Sequence, residues 1–154
     1  MTTRVVIGGT FSIIHRGHLK LIGKAFRLGD RVYIGLTSDA YVLRHKLMPI
    51  KEYSKRKSEL YSIAKRFAEK TGARFSISRI NDRYGPSTTG NFDVIVVSPE
   101  TFSAAREINR IRKAKGLRQL KIAKVSYALA YDKKPISSTR IAFGEIDEEG
   151  RKVA

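Results

Sequence analysis

The stretch Gly8 to His18, GGTFSIIHRGH, decides the reading of this chain. Just before it, Arg4 to Gly8 (RVVIG) is a short β-branched run that halts at two glycines, as a buried strand entering a tight turn does. Just after it the period changes. Leu19, Ile22 and Phe26 recur at helical spacing, Leu21, Ala25 and Leu28 widen the apolar face, and Gly29 supplies a stop. His18 therefore stands at the start of a helix, on a strand-to-helix turn. A helix N-terminus offers unpaired N–H groups and partial positive charge, which suits phosphate. Gly8, Gly9 and Gly17 let the backbone approach a ligand closely, and His15 and His18 can address one polyphosphate from the same side. Either histidine could instead pack or cap the helix, but the pair, with glycines on such a turn, favours donors to phosphate oxygens. Zinc is disfavoured, because it needs a third protein ligand and no acid cluster or third histidine stands nearby. His45 has no evident partner.

Outward from this turn, strands and helices alternate. Arg31 to Leu36 reads as a second strand, and Thr37, Ser38 and Asp39 can cap a short helix that Pro49 ends. A longer helix carries Leu60, Ile63, Ala64 and Phe67 on one face until Gly72. Ala73 to Ile80 reads as a strand, followed by a polar loop with Asp82, Tyr84, Gly85 and Pro86. Asp93 to Val97 (DVIVV) reads as a fully buried strand, Glu100 to Lys115 as a helix with Phe102, Ala105, Ile108 and Ile111 along one side, and Leu120 to Val125 as a fifth strand. Ser137 or Ser138 opens a final helical segment. This alternation predicts an α/β fold: a Rossmann-like, doubly wound sheet of about five parallel strands with helices on both faces. Ligands of such sheets bind beyond the carboxyl ends of the strands, where strand order reverses.

Residues 1–154 fit one domain. Hydrophobic residues at 42% and charged residues at 29% are ordinary globular values. No apolar run approaches the ~20 residues needed to cross a bilayer, and the opening MTTRVVIGGTF lacks a secretory apolar region, so a cytoplasmic protein is expected. The absence of cysteine excludes disulfides, thiolate nucleophiles and sulfur-bound metals. Thirty-one Lys and Arg against 14 Asp and Glu give a formal net charge of +17, which attracts anions without choosing among them. A lysine-rich solvated surface of the kind found in heat-stable proteins accounts for the charge equally well.

GGTFSIIHRGH resembles the GTFD and HxGH signature of the nucleotidylyltransferase superfamily, and PISSTRI at Pro135 to Ile141 resembles its second nucleotide-binding motif. DRYGP at Asp82 to Pro86, VSPET ending at Thr101, Ile108–Asn109 and ISSTRIAFGEID at Ile136 to Asp147 narrow the resemblance to the archaeal type of phosphopantetheine adenylyltransferase, over nearly the whole chain. The resemblance implies transfer of AMP from ATP to 4'-phosphopantetheine, giving dephospho-coenzyme A and pyrophosphate. Dephospho-coenzyme A and coenzyme A are then expected as product-like ligands. It also implies Mg2+, held mainly by substrate phosphates, with no metal-binding residues of the protein's own.

By the same resemblance His18 is the α-phosphate contact that supports the transition state, and His15 a supporting phosphate contact. The ATP site comprises Gly8, Gly9, Thr10, Phe11, His15, Gly17 and His18, with Ser137, Ser138, Thr139 and Arg140 receiving the β and γ phosphates. Thr10 and Lys46 meet the acceptor's phosphate. Three features depart from the family pattern. Ser12 replaces the acid of GTFD, Ser98 to Thr101 replaces the arginine pair of bacterial enzymes, and the alignment of Lys46 depends on a loop of variable length. The missing charge must come from Lys46, Arg44, Arg106 or Arg140. Two other readings stay open at this point. One keeps the HxGH chemistry with other substrates, as in cytidylyltransferases or FAD- and NAD-forming adenylyltransferases, and the motifs beyond HxGH argue against it. The other is a basic nucleic-acid-binding module; it lacks a reading element, and its aromatics fall at core positions. No specific nucleic-acid or membrane partner is expected, and the sequence carries no signal of oligomeric state.

Overall fold

The computed structural model describes residues 2–45 and 49–153. Five strands, β1 (Arg4–Gly9), β2 (Arg31–Thr37), β3 (Arg74–Ile80), β4 (Val94–Val97) and β5 (Lys121–Lys124), form one parallel sheet in the order β3-β2-β1-β4-β5. The chain winds outward from β1 through β2 to β3, then returns to the other side of β1 with β4 and β5. The switch point lies between β1 and β4, which pair through Val5–Val94 and Val6–Ile95.

Side-chain alternation along β1 divides two cores. Val5 and Ile7 join Ile22, Ala25 and Phe26 of α1 (Arg16–Leu28) and Leu60 and Ala64 of α3 (Tyr53–Thr71) on one face. Val6 turns to the other face, where Ile95 and Val97 meet Ala105 and Ile108 of α4 (Phe102–Ala114). The doubly wound expectation therefore holds, with element ends shifted by one or two residues. The short helix after β2 is α2 (Asp39–His45), capped by Ser38, whose Oγ accepts from the Tyr41 N–H at 3.1 Å. Gly72 ends α3 in the left-handed conformation at φ 78°.

The loop between β3 and β4 tightens into a single 3-10 turn at Gly85–Thr88. Asp82 Oδ1 accepts from the N–H groups of Tyr84 (2.9 Å) and Gly85 (2.6 Å), and buried Arg112 of α4 donates to the carbonyls of Ser87 and Gly90. Asn109 pairs with both the N–H and the carbonyl of Leu120 just before β5, so the Ile108–Asn109 motif is a structural fastening. Beyond β5, Ala128, Ala130, Ile136 and Ile146 make a third, small core around α5 (Ser138–Ala142). Among the described residues no helix is long and apolar enough to cross a membrane.

Candidate active site

A cavity of about 810 Å³ opens at the carboxyl ends of β1 and β2, beside the switch point. This size suits a nucleotide-sized ligand. Its walls include Gly8 to Ile13, His15, Gly17, His18, Tyr41, His45, Arg83 and Ser137 to Thr139. The two motifs most distant in sequence therefore face one space. Ser138 Oγ fixes their spacing by donating to the Ile13 carbonyl at 3.2 Å.

The turn after β1 is tightly specified. Phe11 is buried at φ 47°, a left-handed conformation unusual outside glycine, and its ring lies 5.1 Å from that of His18. His15 precedes α1 as its N-cap, and its Nδ1 accepts from the Gly17 N–H at 3.0 Å. A Cβ on residue 17 would lie 2.8 Å from His15 Cε1, so glycine is required for the ring to fold over the helix start. His18 answers reciprocally, its Nδ1 accepting from the His15 N–H at 3.2 Å. The imidazoles stack with centroids 4.0 Å apart.

This pairing fixes the chemistry of both rings. A nitrogen that accepts from a backbone N–H carries no proton, so each neutral ring bears its proton on Nε2 and offers one donor. Burial, then the neighbouring His15, pushes His18 down to about 3, with the Ile13 carbonyl partly opposing, and burial lowers His15 as well. Both are neutral near pH 7. Capping by Nδ1 thus leaves each of the two side chains one Nε2 donor to offer a ligand.

Two expectations need correction. The first amides of α1 are not free for phosphate, because the Arg16 N–H donates to the Glu148 carbonyl at 3.1 Å and the Gly17 N–H to His15. What α1 presents is its histidines. Arg140 is also committed elsewhere. Its guanidinium donates to Asp132 Oδ2 at 2.6 Å, Glu145 Oε2 at 2.8 Å and the Pro135 carbonyl at 3.1 Å, and the side chain does not line the cavity. Those two carboxylates offset the cation in the first turn of α5, so its position there does not by itself call for a triphosphate.

Several other expected residues border the cavity. Ser137 Oγ caps α5 by accepting from the Arg140 N–H at 3.2 Å, and Ser137, Ser138 and Thr139 all border the cavity. Thr10 borders it too and accepts from the Thr37 hydroxyl at 2.9 Å. Lys46 lies outside the described residues. Arg44 donates to the Asn81 carbonyl, and neither Arg44 nor Arg106 reaches the cavity wall.

Sequence reading missed four contributors: Arg83, Lys51, Tyr41 and Arg56. Arg83 sits in the DRYGP loop, 5.5 Å from the Tyr84 ring centroid, with no carboxylate partner among the described residues. Lys51 also lines the wall but is paired with Glu59 at 3.1 Å. Glu100 is the one carboxylate among the described wall residues, so the cavity favours anions. Among the described residues no three His, Asp or Glu side chains gather as a metal site. A second, mainly apolar cavity of about 240 Å³ adjoins the first, sharing Gly8, Tyr41, Ile80, Arg83 and Thr101 and running between β4 and α4 toward Ile108.

A sheet switch point, a strand-to-helix turn with paired histidines, and a serine-rich helix start facing it define a nucleotidyltransferase, and the chain belongs to the cytidylyltransferase-like family, whose model matches residues 6–142. Within that family it groups with the archaeal phosphopantetheine adenylyltransferases. It is 46% identical over 150 residues to the phosphopantetheine adenylyltransferase of Methanosarcina barkeri, spanning 96% of this chain and 91% of that one. The corresponding Methanosarcina acetivorans protein is 47% identical over 150 residues, at 96% and 94% coverage. A solved Archaeoglobus fulgidus structure, described as a protein with unknown function, superposes with a TM-score of 0.69 at 35% identity, covering 80% of this chain and 89% of that one.

Proposed function

We propose that the protein transfers AMP from ATP to 4'-phosphopantetheine, giving dephospho-coenzyme A and pyrophosphate. The observation that carries this reading is the stacked histidine pair, each ring tied through Nδ1 to a backbone N–H and left with one Nε2 donor. An oxygen of the acceptor's phosphate attacks the α-phosphorus, the bond from that phosphorus to the bridging oxygen breaks opposite it, and pyrophosphate leaves. The acceptor phosphate, with a second pKa near about 6, is already anionic at pH 7 and requires no protein base. Catalysis then reduces to alignment and charge stabilisation.

In this reading His18 donates to the α-phosphoryl oxygens and His15 supports it. Ser137, Ser138 and Thr139 border the β and γ phosphates, while Thr10 meets the acceptor phosphate. Arg83, between the two cavities and without a carboxylate partner, supplies the charge once expected from Arg140. The smaller apolar cavity takes the acceptor's arm, whose amides and methyl groups suit its mixed wall. Mg2+ would supply charge neutralisation of the polyphosphate and would be held mainly by its oxygens and water, because the single carboxylate among the described wall residues, Glu100, makes no cage for an ion that demands octahedral oxygen. A cytoplasmic enzyme, with dephospho-coenzyme A and coenzyme A as competing ligands, fits this reading.

The test is pyrophosphate release with ATP or CTP paired in turn with 4'-phosphopantetheine, glycerol phosphate, FMN and nicotinamide mononucleotide. ATP with 4'-phosphopantetheine should be fastest; faster turnover with CTP, or with any other acceptor, overturns the assignment.

A further inference from the structure

Arg56, on α3, is the largest side chain with no exposed surface among the described residues. Its Nε donates to the Lys51 carbonyl at 2.8 Å, Nη1 to the carbonyls of Thr37 at 2.8 Å and Thr10 at 3.1 Å, and Nη2 to Asp39 Oδ1 at 2.9 Å. One guanidinium thus joins the turn after β1, the end of β2, the start of α2 and the approach to α3. A brace alone could be built from apolar residues without desolvating a charge. The polar choice has a further effect on two hydroxyls.

Nη1 also lies 3.4 Å from Thr37 Oγ1, and a guanidinium only donates. The two Nη1 protons are directed at the Thr37 and Thr10 carbonyls, so this is a longer, shared contact that favours Thr37 Oγ1 as the acceptor, and Thr37 Oγ1 donates its own hydrogen bond to Thr10 Oγ1, 2.9 Å away. Thr10 Oγ1 then accepts from within the protein and keeps one proton to give. Thr10 borders the cavity, so that proton is available to a ligand oxygen. An isolated hydroxyl can donate or accept; this one is biased toward donation, which matches an anion.

We infer that Thr37, anchored by Arg56, is a positioning residue that sets the Thr10 hydroxyl as a hydrogen-bond donor to the acceptor's phosphate. The inference rests on the proposed contact between Thr10 and that phosphate. It gives Thr37, which itself borders the cavity, a role in acceptor binding exerted through the Thr10 hydroxyl.

Arg56→Met would strip donors from three carbonyls and risks unfolding, so the test uses Thr37→Val. This change keeps side-chain volume, removes the hydroxyl and leaves Arg56 its carbonyl partners. Steady-state kinetics with ATP and 4'-phosphopantetheine, alongside thermal midpoints, are measured for Thr10→Val, Thr37→Val, Thr37→Ser and the double valine variant. Thr37→Val should raise the acceptor KM about three- to tenfold, the scale of one neutral hydrogen bond, and leave the ATP KM and thermal midpoint near wild type. Thr37→Ser should restore the wild-type KM. In a Thr10→Val background, Thr37→Val should add nothing, because its effect is exerted through the missing hydroxyl. Additive losses, an equal rise in both KM values, or an unchanged acceptor KM in Thr37→Val would overturn the inference while leaving Thr10 assigned. An unchanged acceptor KM in Thr10→Val itself would overturn the Thr10 assignment and the inference with it.

Discussion

Replacing Gly17 by alanine separates the stability of this turn from its chemistry. The new methyl would stand 2.8 Å from His15 Cε1 and 3.0 Å from Nδ1, against an ordinary carbon contact of about 3.5 Å. The imidazole must retreat by roughly 0.7 Å and gives up its hydrogen bond from the Gly17 N–H, a cap worth about 0.5 to 2 kcal/mol. Alanine in place of glycine within a helix returns up to about 1 kcal/mol. The two terms nearly offset, so equilibrium denaturation should place Gly17→Ala within about 1 kcal/mol of wild type. Activity has no such compensation. His15 stacks on His18 at 4.0 Å, so its displacement carries the second ring with it, and a misplacement near 1 Å costs on the order of 10²-fold. Pyrophosphate release should therefore show kcat/KM reduced by about 10² in a fully folded variant. Wild-type kcat/KM would refute the claim that stacked, capped histidines are the working geometry.

His18→Ala should lower kcat by about 10² or more, with ATP affinity by calorimetry changing less, because the interaction strengthens as charge develops; unchanged turnover removes His18 from the reacting centre. For pH dependence, the folded value of His18 is about 3 against an ordinary 6.5, so the unfolded chain gains a proton in that window that the folded chain refuses. Its contribution to stability is thus complete above pH 6.5 and declines on acidification by up to about 1.4 kcal/mol per pH unit, a slope that urea denaturation should find reduced in His18→Gln. Arg140→Ala should lower Tm and leave ATP affinity within about twofold at fixed salt, since its guanidinium is held by Asp132 and Glu145; a large affinity loss would return Arg140 to the binding site. Arg83→Ala should weaken ATP or acceptor binding about tenfold, the scale of a charged hydrogen bond, with Tm retained, and unchanged affinity for both would assign it to the surface.

The sheet was legible because its signals are local. Runs such as Val94–Val97 and the change of period at His18 name their elements without reference to distant residues. Gly17 and the histidines were legible for the same reason. Arg56 was hidden in KEYSKRK, where a basic residue reads as solvated, although it lies four residues before Leu60 and eight before Ala64 on the stripe that α3 buries. Extending that stripe backward one turn would have flagged it. Arg140 misled because the carboxylates that neutralise it, Asp132 and Glu145, flank α5 without any helical spacing to announce the pairing. Of the α1 amides, Gly17 N–H was within local reach, since a capping histidine is two residues away, but the Arg16 N–H was not, since its Glu148 partner lies far along the chain.

That last contact bears on how the enzyme is made. The Arg16 N–H is satisfied by the Glu148 carbonyl, and the Ile13 carbonyl just before α1 by the Ser138 hydroxyl, so the start of α1 is completed by chain synthesised after β5. During translation the strands β1 to β5 emerge before either partner exists. A nascent chain halted after β5 can carry its sheet and both histidines, yet lack the wall that closes the nucleotide's cavity. The cavity wall is complete only once residues 137–148 have followed β5, so nucleotide affinity is expected of chains that include them and not of chains halted before them.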